Sequence, residues 1–179
     1  SISKIMLLLK IKCLSHGFSG ISLLCLKRLI YFFNNNIIPV VYSQGSLGAS
    51  GDLAPLAHLA LPLIGEGRVF YKGKIQKTIS VYKENGLNKI SLGPKEGLAL
   101  LNGTQFMGAI GIYSLIKSIN ISTLADVISS ISIIAFNCHT SPYDKNLSNI
   151  KPFPGLIETS NNIRRFIKGS NLNKKQKNH

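Results

Sequence analysis

Apolar residues recur at helical spacing along most of this chain. Residues 2–14 and 21–33 are two such stretches. Between them Ser15-His16-Gly17-Phe18-Ser19-Gly20 breaks the pattern and offers Ser19 as a cap for the second helix. Asn34-Asn35-Asn36 ends that helix, and residues 37–42 read as extended. Residues 53–64 predict a helix that starts after Asp52, bends at Pro62 and stops at Gly65-Glu66-Gly67. Residues 68–71 and 74–76 read as a β-hairpin, followed by a short helix at 79–84. A long apolar segment runs over 94–119. Thr123 to Asp126 then has a capping pattern, with Leu124, Val127, Ile128, Ile131, Ile134 and Ala135 on one face of a further helix. Ile163 and Phe166 mark a last short helix. The expectation is a mainly α protein of several long helices with one small hairpin near 68–76.

Composition changes this picture little. The chain has 179 residues, enough for a domain with a core. Its formal net charge is +14, from 21 basic and 7 acidic side chains. No basic stripe interleaves with aromatics and no nucleic-acid motif occurs, so no nucleic-acid partner is expected. Lys174, Lys175 and Lys177 lie in a basic tail, 170–179, expected to be disordered. Cys13, Cys25 and Cys138 are widely spaced, without a metal-binding pattern. Reduced, mostly buried thiols in a cytoplasmic protein and no bound metal are the expectation. Leu7-Leu8-Leu9 is too short, and too close to Lys10 and Lys12, for a signal peptide. Residues 98–116 carry no charge and nearly reach membrane-spanning length. Asn102, Thr104, Gln105 and the glycines at 97, 103, 108 and 111 favour a buried bundle helix instead, with no membrane partner.

The candidate chemistry lies in Gly45-Ser46-Leu47-Gly48-Ala49-Ser50-Gly51-Asp52-Leu53-Ala54-Pro55-Leu56-Ala57-His58. The Gly51 nitrogen can attack the Ala49 carbonyl and close a five-membered ring. Loss of water there and at the Ser50 side chain leaves an exocyclic methylene, an electrophile that no ordinary side chain supplies. Ring closure needs a compressed turn, which Gly48 and Gly51 permit. Asp52 is placed to cap the helix that follows, a role compatible with assisting ring formation. The positive end of that helix would face the ring.

This stretch resembles the cofactor loop of the aromatic amino acid ammonia-lyases. Lys95-Glu96-Gly97-Leu98-Ala99-Leu100-Leu101-Asn102-Gly103-Thr104-Gln105 resembles a second segment of the family, at matching spacing. The resemblance is strong from 14 to 105 and weaker after Cys138, where Phe153 and Leu156 replace the usual His and Gln. Ala54-Pro55-Leu56-Ala57-His58 and Gln105 are the forms of the histidine-specific branch. The resemblance implies 4-methylideneimidazol-5-one (MIO) formed from Ala49-Ser50-Gly51, with no external cofactor. It implies L-histidine as substrate and urocanate with ammonia as products; phenylalanine or tyrosine is the alternative substrate. Asn102 is the second implied catalytic residue, stabilising charge on the ring oxygen. His58 and His16 are expected to be packing and loop residues.

The resemblance also implies that 1–169 is a partial lyase domain, with its cofactor loop at 45–58, and that the complete protein is a homotetramer with active sites shared between chains. The family's catalytic tyrosine and its glutamate near the substrate would lie outside these residues. A fragment without them is expected to be inactive, and a non-catalytic remnant is the second alternative.

Overall fold

A computed structural model describes residues 1–45 and 51–170. The chain resolves into two compact units, Ser1–Ser114 and Leu115–His179. In the first, helices α1 (Ile2–Ser15) and α2 (Leu23–Asn34) pack against each other. Met6, Leu7 and Leu14 from α1 and Cys25, Leu29 and Phe32 from α2 are buried in one core. Lys10 lies on the same stripe of α1 and is only 1% exposed. Ser22, rather than Ser19, caps α2: its side chain accepts from the Cys25 N–H at 3.3 Å. Gly20 adopts φ +74°, so the chain is still turning after Ser19 and the helix begins later.

The expected hairpin forms as β2 (Arg68–Tyr71) and β3 (Lys74–Lys77). A short strand, β1 (Ile38–Pro39), adds to it, pairing Ile38 with Phe70 and Pro39 with Val69. The result is an antiparallel three-stranded sheet in the order β1-β2-β3. Helix α3 (Leu53–Ala60) continues as a 3-10 turn over Leu61–Ile64, because Pro62 cannot supply an amide hydrogen to an α-helical ladder. Helix α4 is Thr78–Glu84; the buried Tyr82 hydroxyl donates to the carbonyl oxygens of Pro62 and Leu63 at 2.5 and 3.2 Å.

The long apolar segment is divided. Helix α5 (Glu96–Leu101) ends at Asn102, and α6 runs over Gln105–Ala135. No second helix starts at Thr123. That residue sits inside α6 and its hydroxyl donates to the Ile119 carbonyl at 3.1 Å, a bond made within a helix rather than at its start. Glu96 ties α5 to α2. Its carboxylate is 6% exposed and accepts from the N–H of Ser22 at 2.7 Å and of Gly93 at 2.5 Å. Hydrogen bonds from Ser22 first, then the Gly93 N–H, lower its pKa to about 2. The folded-state value is depressed, so the stabilisation is complete above the ordinary pKa of 4.5 and is lost as pH falls towards about 2. Glu96→Gln should cost about 2 kcal/mol near pH 7, as expected for bonds to a charged acceptor. Denaturant unfolding as a function of pH should show the difference from the parent shrinking between pH 4.5 and 2; a constant difference across that window would refute it.

In the second unit, α7 (Lys145–Ile150) and α8 (Pro154–Phe166) pack together. Ile133, Ile163 and Ile167 form a small core with Tyr143 against it. The Asn162 amide donates to the Asp126 carboxylate at 2.9 Å. The face of α6 that turns inwards carries Asp126, Ser130 and Ile133. Leu124, Ile128, Ile131 and Ile134, the expected apolar face, are 42–61% exposed. Leu98, Met107, Tyr113, Leu115 and Ile116 are also exposed, so the 98–116 segment is buried only in part, through Ala99, Leu100 and Ala109. Cys25 is buried, but Cys13 and Cys138 are exposed, contrary to the expectation of mostly buried thiols. The expected tail lies almost wholly outside the described residues.

Candidate functional site

The two sequence segments singled out above meet through their backbones. Gly51 has φ +104°, a conformation that L side chains rarely adopt. A Cβ at Gly51 would stand 2.7 Å from the Gly103 carbonyl oxygen and 3.3 Å from the Gly103 nitrogen. The next residue completes the contact: the Asp52 N–H donates to the Gly103 oxygen at 3.0 Å. Asn102 adjoins Gly103 and ends α5 in an extended conformation, with φ −81° and ψ 137°. It is solvent-exposed in this chain. Of the expected site residues, Gly51, Asp52 and Asn102 are therefore brought together; Gly48, Ala49 and Ser50 lie outside the described residues.

Asp52 does not cap its own helix. Its side chain makes no capping bond to α3. Instead Oδ2 accepts from the Met107 N–H at 3.1 Å, in the first turn of α6. The carboxylate is 3% exposed and offsets the positive end of a different helix. Backbone geometry explains the change: Asp52 has φ −94° and ψ 56°, outside the extended conformation usual at an N-cap. Asp52 thus fastens the loop at two points, by main chain to Gly103 in the α5–α6 junction and by side chain to Met107 in α6.

On α1, Lys10 reaches the same junction. Its Nζ donates to the Asn102 carbonyl oxygen at 2.7 Å. No ion pair joins it to a carboxylate among the described residues. Burial disfavours the ammonium and lowers the pKa to about 8. The sequence carried one signal for this residue: Lys10 falls at helical spacing among Met6, Leu7 and Leu14. His58 packs edge-on against Tyr42, with ring centroids 5.1 Å apart. Its buried Nδ1 has no hydrogen-bond partner among the described residues. His16 is exposed on the turn between α1 and α2. No group of three or more His, Cys, Asp or Glu side chains suited to a metal occurs among the described residues.

The sequence model for "Aromatic amino acid lyase" matches residues 1–179. The chain belongs to the aromatic amino acid lyases. A histidine ammonia-lyase of Streptococcus pyogenes serotype M49 is 42% identical over 164 residues, covering 92% of this chain and 32% of that protein. Among solved structures, histidine ammonia-lyase from Trypanosoma cruzi superposes with a TM-score of 0.84 at 34% identity, over 91% of this chain and 32% of that one. Tyrosine aminomutase from Streptomyces globisporus gives 0.89 at 33% identity, over 99% of this chain and 35% of that one. This lyase chain therefore has the fold of the family and spans about one third of the length of these relatives. The relatives include ammonia-lyases, which break a carbon–nitrogen bond.

Proposed function

We propose that this chain carries the cofactor-forming segment of a histidine ammonia-lyase, which converts L-histidine to urocanate and ammonia in the cytoplasm. The carrying observation is the contact of Gly51 with Gly103, in a backbone conformation and a space that suit glycine alone. It sets the end of the Ala49-Ser50-Gly51 tripeptide beside the residue that follows Asn102. The residues present fit an MIO ring: Gly51 has no Cβ to obstruct attack by its nitrogen, and Ser50 has the hydroxyl to be eliminated.

The ring would supply an electrophilic carbon for the substrate amino group and so make the amine a good leaving group. The chain's own residues hold its setting. Asp52 fixes the loop to Gly103 in the α5–α6 junction and to Met107 in α6. The Asn102 amide is the donor assigned to the ring oxygen, where it stabilises developing negative charge. The base that takes the β-proton and the groups that hold the imidazole belong, on this reading, to parts of the enzyme beyond these residues. Histidine is favoured over phenylalanine and tyrosine by Ala54 to His58 and by Gln105. The near-equal identities to a histidine lyase and a tyrosine aminomutase make a panel of the three amino acids the direct check of substrate.

Intact mass tests the cofactor. The folded protein at its full encoded length should be lighter than its translated sequence by two waters, ~36 Da, as expected for a cofactor built from the chain itself. Fragmentation should place the loss at residues 49–51. Ser50→Ala leaves no hydroxyl to eliminate and should form no methylene. A well-folded parent protein with its full translated mass would overturn the proposal.

A further inference from the structure

We propose that Lys10 is a positioning residue for Asn102, holding it through the main-chain carbonyl in the orientation that the reaction requires. The inference rests on the role of Asn102 given above. Its physical basis is the combination of a 1%-exposed side chain on the core stripe of α1 with an Nζ that donates to the Asn102 oxygen at 2.7 Å.

An apolar residue at position 10 would suit the surroundings of Met6, Leu7 and Leu14 better. Burying an ammonium without a carboxylate partner is costly, and a local rule broken in this way marks a site where another requirement prevails. Here the requirement is legible from the junction. Asn102 ends α5, Gly103 receives the loop, and α6 begins at Gln105. The junction is held from the loop side by Asp52, through Gly103 and Met107. Lys10 holds it from the α1 side, at Asn102 itself. The Asn102 side chain stays exposed, and the bond from Lys10 fixes the backbone from which it projects. A misplacement of about 1 Å in a reacting group can cost on the order of 100-fold in rate.

The test uses the protein at its full encoded length, with Lys10→Met, Lys10→Arg, Asn102→Ala and the double variant Lys10→Met/Asn102→Ala. Lys10→Met should still lose two waters at residues 49–51. Its near-ultraviolet band from the ring should move in the direction seen for Asn102→Ala, and kcat should fall on the order of 10–100-fold with little change in KM. Lys10→Arg keeps a cationic donor and should recover most of both. In the Asn102→Ala background the Lys10 substitution should cost little more, because the two act through one group. Should Lys10→Met fail to fold, Lys10→Gln replaces it with the same readings. An unshifted band with parental kcat, or equal losses in both backgrounds, would overturn the inference alone. A parent protein that keeps its full mass would overturn the reading of the site and this inference with it.

Discussion

Gly51→Ala should abolish the loss of two waters and all activity that depends on it. A side chain at φ +104° costs on the order of 1–3 kcal/mol in backbone strain alone. The new Cβ would also meet the Gly103 oxygen at 2.7 Å, closer than a carbon can approach. Neither partner can retreat without loss. The Gly103 oxygen accepts the Asp52 N–H at 3.0 Å, and Asp52 is anchored to Met107 at 3.1 Å. The loop would lift from the α5–α6 junction, and the tripeptide would lose the fixed geometry that ring closure needs. Gly97→Ala is the matching control. A Cβ there meets nothing within 4 Å, and the residue lies inside α5, where alanine favours helix by about 1 kcal/mol. Intact mass and near-ultraviolet absorbance should show a complete ring in Gly97→Ala and none in Gly51→Ala. Full ring formation in Gly51→Ala would show that the close contact does not govern the loop.

Most helices were legible because their apolar spacing is strong. The errors fell where one local signal competed with another. Thr123 and Asp126 form a capping pattern, yet the surrounding residues continue the helix, and a mid-helix threonine can satisfy its hydroxyl on the preceding turn. Residues 94–119 read as one segment because apolar content hides the break at Asn102 to Thr104; only the Asn-Gly pair hinted at it. Strand β1 reads as extended but not as paired, since two residues, one of them Pro39, give no periodicity.

The site was legible in kind but not in its connections. Gly51, Asp52 and Asn102 are named by motif, and the fold brings them together. That Asp52 serves α6 rather than α3 depends on a tertiary contact across more than fifty residues, which no local pattern encodes. Lys10 and Glu96 are of the same kind: a buried ammonium and a buried carboxylate, each binding backbone on another element. A charged residue on a core stripe is the trace such contacts leave in a sequence.

The isolated 179-residue chain should associate at micromolar concentration rather than sediment as a compact monomer. In the second unit the outward side of α6 presents Leu124 at 55%, Ile128 at 54% and Ile131 at 61% exposure, while Asp126 and Ser130 turn inwards. This is the reverse of a helix built to face water, and contiguous apolar surface beyond a few hundred Å² marks an association site. The span from Glu96 to Ala135, which holds α5 and α6, is also long and apolar enough to cross a membrane by length and composition. Membership of the lyase family favours a protein partner instead, and the complete enzyme is proposed to be a homotetramer that packs these helices together. The net charge of +14 opposes self-association, and salt screens that repulsion. Sedimentation velocity should therefore show oligomers that grow with ionic strength, whereas binding to nucleic acid would weaken as salt rises. Placing lysine at both Leu124 and Ile128 should shift the distribution to monomer while leaving the Asp126–Asn162 bond in place. A parent chain that sediments as a compact monomer at high salt would show that this face needs no partner.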